Sequence, residues 1–139
     1  MSFRLTCSNN KCRSSQKAKN IVDLISNYVG DDYFFKCPEC SHDMHMAKSF
    51  NLQETGREWK PYLRGVVKLG IRGHSYQPFI FLCSREAATR ISSCWFSYYK
   101  DLRSSGGRLK LGYGPGGPPN LQMKQIKKMV KVLRRMNIY

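Results

Sequence analysis

Cys7-Ser8-Asn9-Asn10-Lys11-Cys12 and Phe35-Lys36-Cys37-Pro38-Glu39-Cys40 place four thiols on two short segments within the first forty residues. Two thiolates held together on a tight turn span one edge of a tetrahedron. A second pair brought alongside spans the opposite edge, which is the arrangement that structural Zn2+ takes. Pro38 fixes φ in the second turn while backbone N–H groups around it can point at sulfur, and Phe34 and Phe35 stand next to the turn as a shield. The expected ligands are therefore Cys7, Cys12, Cys37 and Cys40, holding one structural Zn2+. His42 or His45 could replace Cys40 in that set. Four thiolates leave no open position for a reacting water, so the pattern disfavours a catalytic metal. A redox Cys-x-x-Cys is disfavoured too, because no strand–helix pattern of the thioredoxin kind surrounds Cys37. Cys83 and Cys94 lie inside apolar patterns and read as core thiols.

On these residues the stretch from about 3 to 52 resembles a zinc ribbon or zinc-knuckle module. The resemblance rests on the four cysteines and on the phrase Phe35-Lys36-Cys37-Pro38-Glu39-Cys40. It implies a small fold stapled by metal, of the kind that serves nucleic-acid and transcription machinery. It extends no further along the chain.

Outward from the cysteines, hydrophobic periodicity sets the remaining expectations. Ala18, Ile21, Val22, Ile25, Tyr28 and Val29 recur at helical steps, so Ser15 to Val29 is expected as a helix capped by Ser14 or Ser15. Tyr33 to Lys36 is expected as a short strand, with Met44 to Leu52 as its returning partner. Gln53 to Lys60 is polar and reads as a linker. Tyr62 to Ile71 alternates, with Leu63, Val67 and Leu69 on one side and Arg64 and Lys68 on the other, which predicts a strand with one buried face. A turn at Gly73-His74-Ser75 leads to the apolar run Pro78 to Cys83, completing an antiparallel hairpin. Ala87, Ala88, Ile91, Cys94, Trp95, Tyr98, Tyr99 and Leu102 form a stripe that predicts a long helix from Ser84 to Arg103. Gly112 to Pro119 reads as a Gly/Pro hinge, and Asn120 caps a last helix from Leu121 to about Met136. The expected fold class is α+β. Its parts are a zinc module over 1–52, a hairpin plus long helix over 53–111, a hinge over 112–120 and a basic amphipathic helix over 121–139.

Charge narrows the function. The 139 residues carry 24 Lys+Arg against 9 Asp+Glu, a formal net charge of +15. No acidic residue follows Asp101. Such an excess repels itself in the folded state and suits a polyanionic partner. Lys124, Lys127, Lys128, Lys131, Arg134 and Arg135 crowd the last helix, whose own sequence carries no acidic residue. Tyr62, Arg64, Lys68 and Arg72 are expected on the open face of the hairpin, where cations could hold phosphates while a ring stacks on a base. Lys11, Arg13, Lys17 and Lys19 form a third cluster beside the first cysteine pair. These groups are the candidate contacts to nucleic acid, RNA or DNA, chiefly through its backbone.

Other classes fare worse. No apolar run approaches the ~20 residues of a membrane span, and Met1 to Cys7 lacks the apolar core of a secretory signal. The expectation is an intracellular protein, cytoplasmic or nuclear, without membrane insertion and with reduced thiols. An enzyme needs converging acid, base and nucleophile. Here only His42, His45 and His74 are available, and a nuclease pairing of His74 with Glu58 or Asp101 has no support from spacing, so no catalytic residue is assigned. The alternative to direct binding is a small regulatory adaptor, such as a phage or viral factor, that docks on transcription or silencing proteins. A protein partner is thus a second possibility.

Overall fold

The computed structural model describes residues 2–46, 62–87, 90–112 and 123–137. The chain divides into two compact units, Met1–Val66 with Leu82–Ser93 and Val67–Phe81 with Cys94–Tyr139. The architecture is α+β, with two antiparallel sheets and two α-helices among the described residues.

The first unit begins with β1, Phe3–Cys7, whose alternation buries Phe3, Leu5 and Cys7 and exposes Arg4 and Thr6. The segment expected as one helix from Ser15 to Val29 is instead a strand followed by a shorter helix. Strand β2, Ser15–Ala18, pairs antiparallel with β1, placing Phe3 opposite Ala18 and Thr6 opposite Ser15. Helix α1 is Ile21–Tyr28. Its cap is Asn20 rather than Ser14 or Ser15: the Asn20 side chain accepts from Asp23 N–H at 2.9 Å, while the Asp23 carboxylate accepts from Lys19 N–H at 2.7 Å. The first bond satisfies one of the helix's orphan donors, and the second ties the residue before the cap to the first turn, which together set where the helix starts. The helical steps between Ser15 and Ala18 lose to the hydrogen-bonding edge that β1 presents. On the other edge of β1, the two-residue strand β3, Met44–His45, places Met44 opposite Cys7, giving the order β2-β1-β3.

Between α1 and β3 the strand expected over Tyr33 to Lys36 is not formed as such. Tyr33 is left-handed at φ 72°, and Phe34 to Lys36 make only isolated bridges, because their contacts go to separate segments rather than to one partner strand. Among these bridges are Val29 with Phe35 and Lys36 with Asp43. The return from Met44 finds β1 as its strand partner rather than the expected Tyr33–Lys36 segment, and Met46 bridges Leu63. The rest of that return and the linker over 53–60 lie outside the described residues.

The second sheet has the order β4-β5-β6-β7. Strand β4 is Tyr62–Lys68 and β5 is Tyr76–Ser84, so the expected hairpin forms with its apolar strand inside the sheet. Both faces of β4 are covered, however, since Leu63, Arg64, Val66 and Val67 are all buried. The predicted long helix from Ser84 to Arg103 is not formed. Strand β6, Ser93–Asp101, takes its place, followed by a single 3-10 turn at Arg103–Ser105. Strand β7, Leu109–Gly112, pairs antiparallel with β6. The run Trp95-Phe96-Ser97-Tyr98-Tyr99 has the aromatic content of a strand. Its burial alternates, with Ser97 and Tyr99 inside and Phe96 and Lys100 outside, so period two prevails over the helical stripe. Gly112, assigned by sequence to the hinge, closes β7; the rest of the hinge, 113–120, lies outside the described residues. In the second unit Phe79 meets Phe81 edge-on at 5.0 Å and Tyr99 at 6.2 Å. Helix α2, Met123–Arg135, matches the expected basic helix and buries Val132 and Gln125.

Candidate metal centre and basic surfaces

Two turns of similar construction face each other. In the first, Cys12 and Arg13 both donate backbone N–H to the Asn9 carbonyl at 3.0 Å, and Arg13 adopts φ 51°. In the second, Ser41 donates to the Cys37 carbonyl at 2.9 Å and adopts φ 65°. In each turn the residue after the second cysteine is thus left-handed. That conformation is unfavourable for a side chain and persists only where the surroundings impose it. The Cys7, Cys12 and Cys40 sulfurs each face the backbone N–H two residues ahead, of Asn9, Ser14 and His42 respectively.

β1 delivers Cys7 from its last position; the pairing of Cys7 with Met44 and the Ser8 N–H donated to the Asp43 carbonyl at 2.9 Å hold the second turn beside it. Across the two turns, Cys7 Sγ lies 3.4 Å from Cys40 Sγ, and Cys12 Sγ lies 3.9 Å from Cys37 Sγ. All four sulfurs lie within 4.8 Å of one another. A tetrahedron of thiolates about 2.3 Å from a central ion has edges of about 3.8 Å. The cluster is therefore close enough to hold one metal ion. Neither His42 nor His45 joins it. The exposed His42 ring sits 3.2 Å from the Cys40 carbonyl, and His45 Nδ1 lies 2.8 Å from Ser8 Oγ.

The surroundings act differently on the clustered sulfurs. Burial, reinforced by the neighbouring cysteines, pushes the Cys7 thiol up to about 12, whereas the His42 N–H draws Cys40 down to about 6. At Cys12 the Ser14 N–H lowers the pKa, but burial and the adjacent sulfurs outweigh it and the thiol is raised. Four thiolates at these separations repel one another unless positive charge sits among them.

Two features that hold the second turn carry no cysteine and escape the sequence pattern. Gly65 of β4 bridges Phe34 so closely that a Cβ on it would meet the Tyr33 carbonyl oxygen at 2.1 Å. Arg64, expected on an open cationic face, is instead only 7% exposed. Its guanidinium donates to Ser84 Oγ at 3.3 Å, lies 3.8 Å from the Asp43 carboxylate and stands over the Phe34 ring. A buried arginine needs such partners, so it serves the module's interior. Tyr62, half-buried, packs edge-on against His45 with ring centroids 5.5 Å apart. The expected hairpin contact face keeps only Lys68 and Arg72 exposed.

The other cations stand as the sequence placed them. Lys11, Arg13, Lys17 and Lys19 are exposed, and so are Lys124, Lys127, Lys128, Lys131, Arg134 and Arg135. Arg4, which no sequence pattern singles out, lies directly opposite Lys17 in the β1–β2 ladder, both exposed. Cys83 is fully buried, and Cys94 is half-buried with its thiol raised by that burial. No helix among the described residues is long and apolar enough to cross a membrane. No family model, curated protein or solved structure matches this chain.

Proposed function

We propose that Cys7, Cys12, Cys37 and Cys40 hold one structural Zn2+, and that the folded protein binds nucleic acid, RNA or DNA, largely through the phosphate backbone. Zinc is favoured by a donor set of four cysteine sulfurs lying within 4.8 Å of one another, because four thiolates suit Zn2+ and leave no position for water. The same closure argues for a structural ion and against a hydrolytic one, so the reading is a binding protein rather than an enzyme.

The observation that carries the binding reading is α2. Its six cations are all exposed, no carboxylate lies on the helix, and its one buried apolar side chain, Val132, faces inward. A helix in this state gains nothing from internal ion pairs and is relieved by phosphate. The Arg4–Lys17 pair on β1 and β2 supports the same reading, because like charges directly opposite each other destabilise a ladder unless an anion bridges them.

The test is charge reversal of Lys128 and Lys131 in the metal-loaded protein. For every phosphate that is no longer neutralised, the slope of log affinity against log salt falls by about 0.7 to 0.9. The double variant K128E/K131E is expected to bind more weakly and to flatten that slope. Wild-type affinity at low salt with an unchanged slope would remove α2 from the interface. No binding by the native protein in dilute buffer would favour docking on an acidic protein surface instead.

A further inference from the structure

We propose that one face of β6 and β7 is a stacking site for unpaired bases, so that the preferred ligand is single-stranded nucleic acid. This rests on the binding reading above and gives it a ligand class and a second contact surface. Hydrophobic periodicity assigns the β6 residues to a helix, and only the strand pairing brings this face together.

Alternation puts Phe96, Tyr98 and Lys100 of β6 on a common face. The ladder adds Lys110, directly opposite Lys100, and Gly112, directly opposite Tyr98. Phe96 is 41% exposed, one of two large hydrophobic side chains among the described residues to stand so far out. Tyr98 lies across the sheet. A Cβ on Gly112 would meet its Cζ at 1.9 Å, Cε2 at 2.1 Å and Cε1 at 2.5 Å. Three ring carbons that close to one point mean that the face of the ring, not its edge, covers the glycine. Its opposite face therefore turns away from the sheet. The Tyr76 ring of β5 stands beside it, with centroids 5.1 Å apart and planes 37° from parallel.

This surface combines what base stacking needs with what a phosphate needs. The rings offer flat, sequence-tolerant area to a base. Lys100 and Lys110, both exposed, face each other across the ladder, an arrangement that costs free energy unless an anion lies between them. The carboxylate of Asp101 belongs to the other face by alternation and is engaged by Arg103 at 2.9 Å and 3.0 Å. In a duplex the bases are already stacked on each other and cannot lie on Phe96 or Tyr98. Unpaired bases can.

The experiment compares full-length, metal-loaded wild type with Phe96→Ala, Phe96→Trp and Lys100→Ala/Lys110→Ala. Fluorescence anisotropy would follow a labelled 20-nucleotide RNA, the DNA of the same sequence and the corresponding DNA duplex. Removing one stacking ring is expected to weaken single-strand binding roughly 5- to 100-fold. Duplex affinity should hardly move, and Phe96→Trp should restore the single-strand value. Replacing both lysines should lower the single-strand salt slope by about 1.4. Phe96 is exposed, so its truncation leaves the core intact. Single-strand affinity unchanged in Phe96→Ala, or an equal weakening on duplex, overturns the stacking site. If K128E/K131E still weakens binding in that case, nucleic-acid binding itself stands. A wild-type protein that binds none of the three probes removes both readings.

Discussion

Removing the metal is the perturbation with the largest predicted effect. The segment from Phe3 to Met46 has little regular structure of its own. Its strands are five, four and two residues long, and α1 has eight residues, well below the ~12–15 at which an isolated helix becomes even marginal. Structural Zn2+ contributes about 10–16 kcal/mol in small zinc-finger peptides at neutral pH, as much as the whole ~5–15 kcal/mol stability of an ordinary domain. Stripping the ion should therefore unfold the segment from Phe3 to Met46 outright. It should leave the sulfurs repelling one another or drawing protons. The assay is a proton–nitrogen correlation spectrum of protein treated with excess chelator, with metal content followed by elemental analysis. Amide dispersion across Phe3 to Met46 should collapse and return when one equivalent of Zn2+ is added. Cys12→Ser should show the same collapse at ambient zinc, whereas Cys83→Ala and Cys94→Ala should keep one ion per chain. Native dispersion over Phe3 to Met46 in demonstrably metal-free protein would refute the reasoning.

Smaller perturbations probe the supports of the site. Ser41→Gly relieves a left-handed residue with an exposed side chain and should stabilise the metal-loaded protein by about 1 kcal/mol in chemical denaturation. Gly65→Ala drives a methyl group into the Tyr33 carbonyl and should cost at least about 1–3 kcal/mol, with a lower melting temperature and weaker retention of metal against chelator. Asn20→Ala removes the cap on Asp23 and should cost about 1 kcal/mol, read as a shift in the denaturation midpoint. Hydrogen bonds from Arg103 hold the Asp101 carboxyl below its ordinary value. Its contribution is therefore present above the unfolded carboxylate pKa and is lost as pH falls through the lower folded one. Carbon-detected titration should show Asp101 moving up toward the ordinary value in Arg103→Ala.

The four-cysteine cluster was legible in the sequence because it depends on local spacing. A pair of cysteines on one turn sets half the ligand set, and only the meeting of two such turns needed the fold. The basic helix was legible for a similar reason. Six cations beside Leu121, Ile126, Met129, Val130, Leu133 and Met136 mark a basic amphipathic helix without reference to any neighbour, although the apolar side chain that the helix buries is Val132, which that pattern did not pick out. Periodicity failed between Ser15 and Ala18 and between Ser93 and Asp101, where a helical stripe and a strand alternation share residues. A strand forms where another strand offers its edge, and that edge belongs to β1 in one case and to β5 and β7 in the other, each decided by pairing rather than by the segment itself. Arg64 shows the same limit for charge. Alternation assigned it to the face opposite Leu63, but whether that face meets water or Asp43, Ser84 and Phe34 depends on what folds over it. What the chain settled alone is chemistry carried within a turn or a helix; burial and strand partnership arise between distant segments, and only the tertiary structure could decide them.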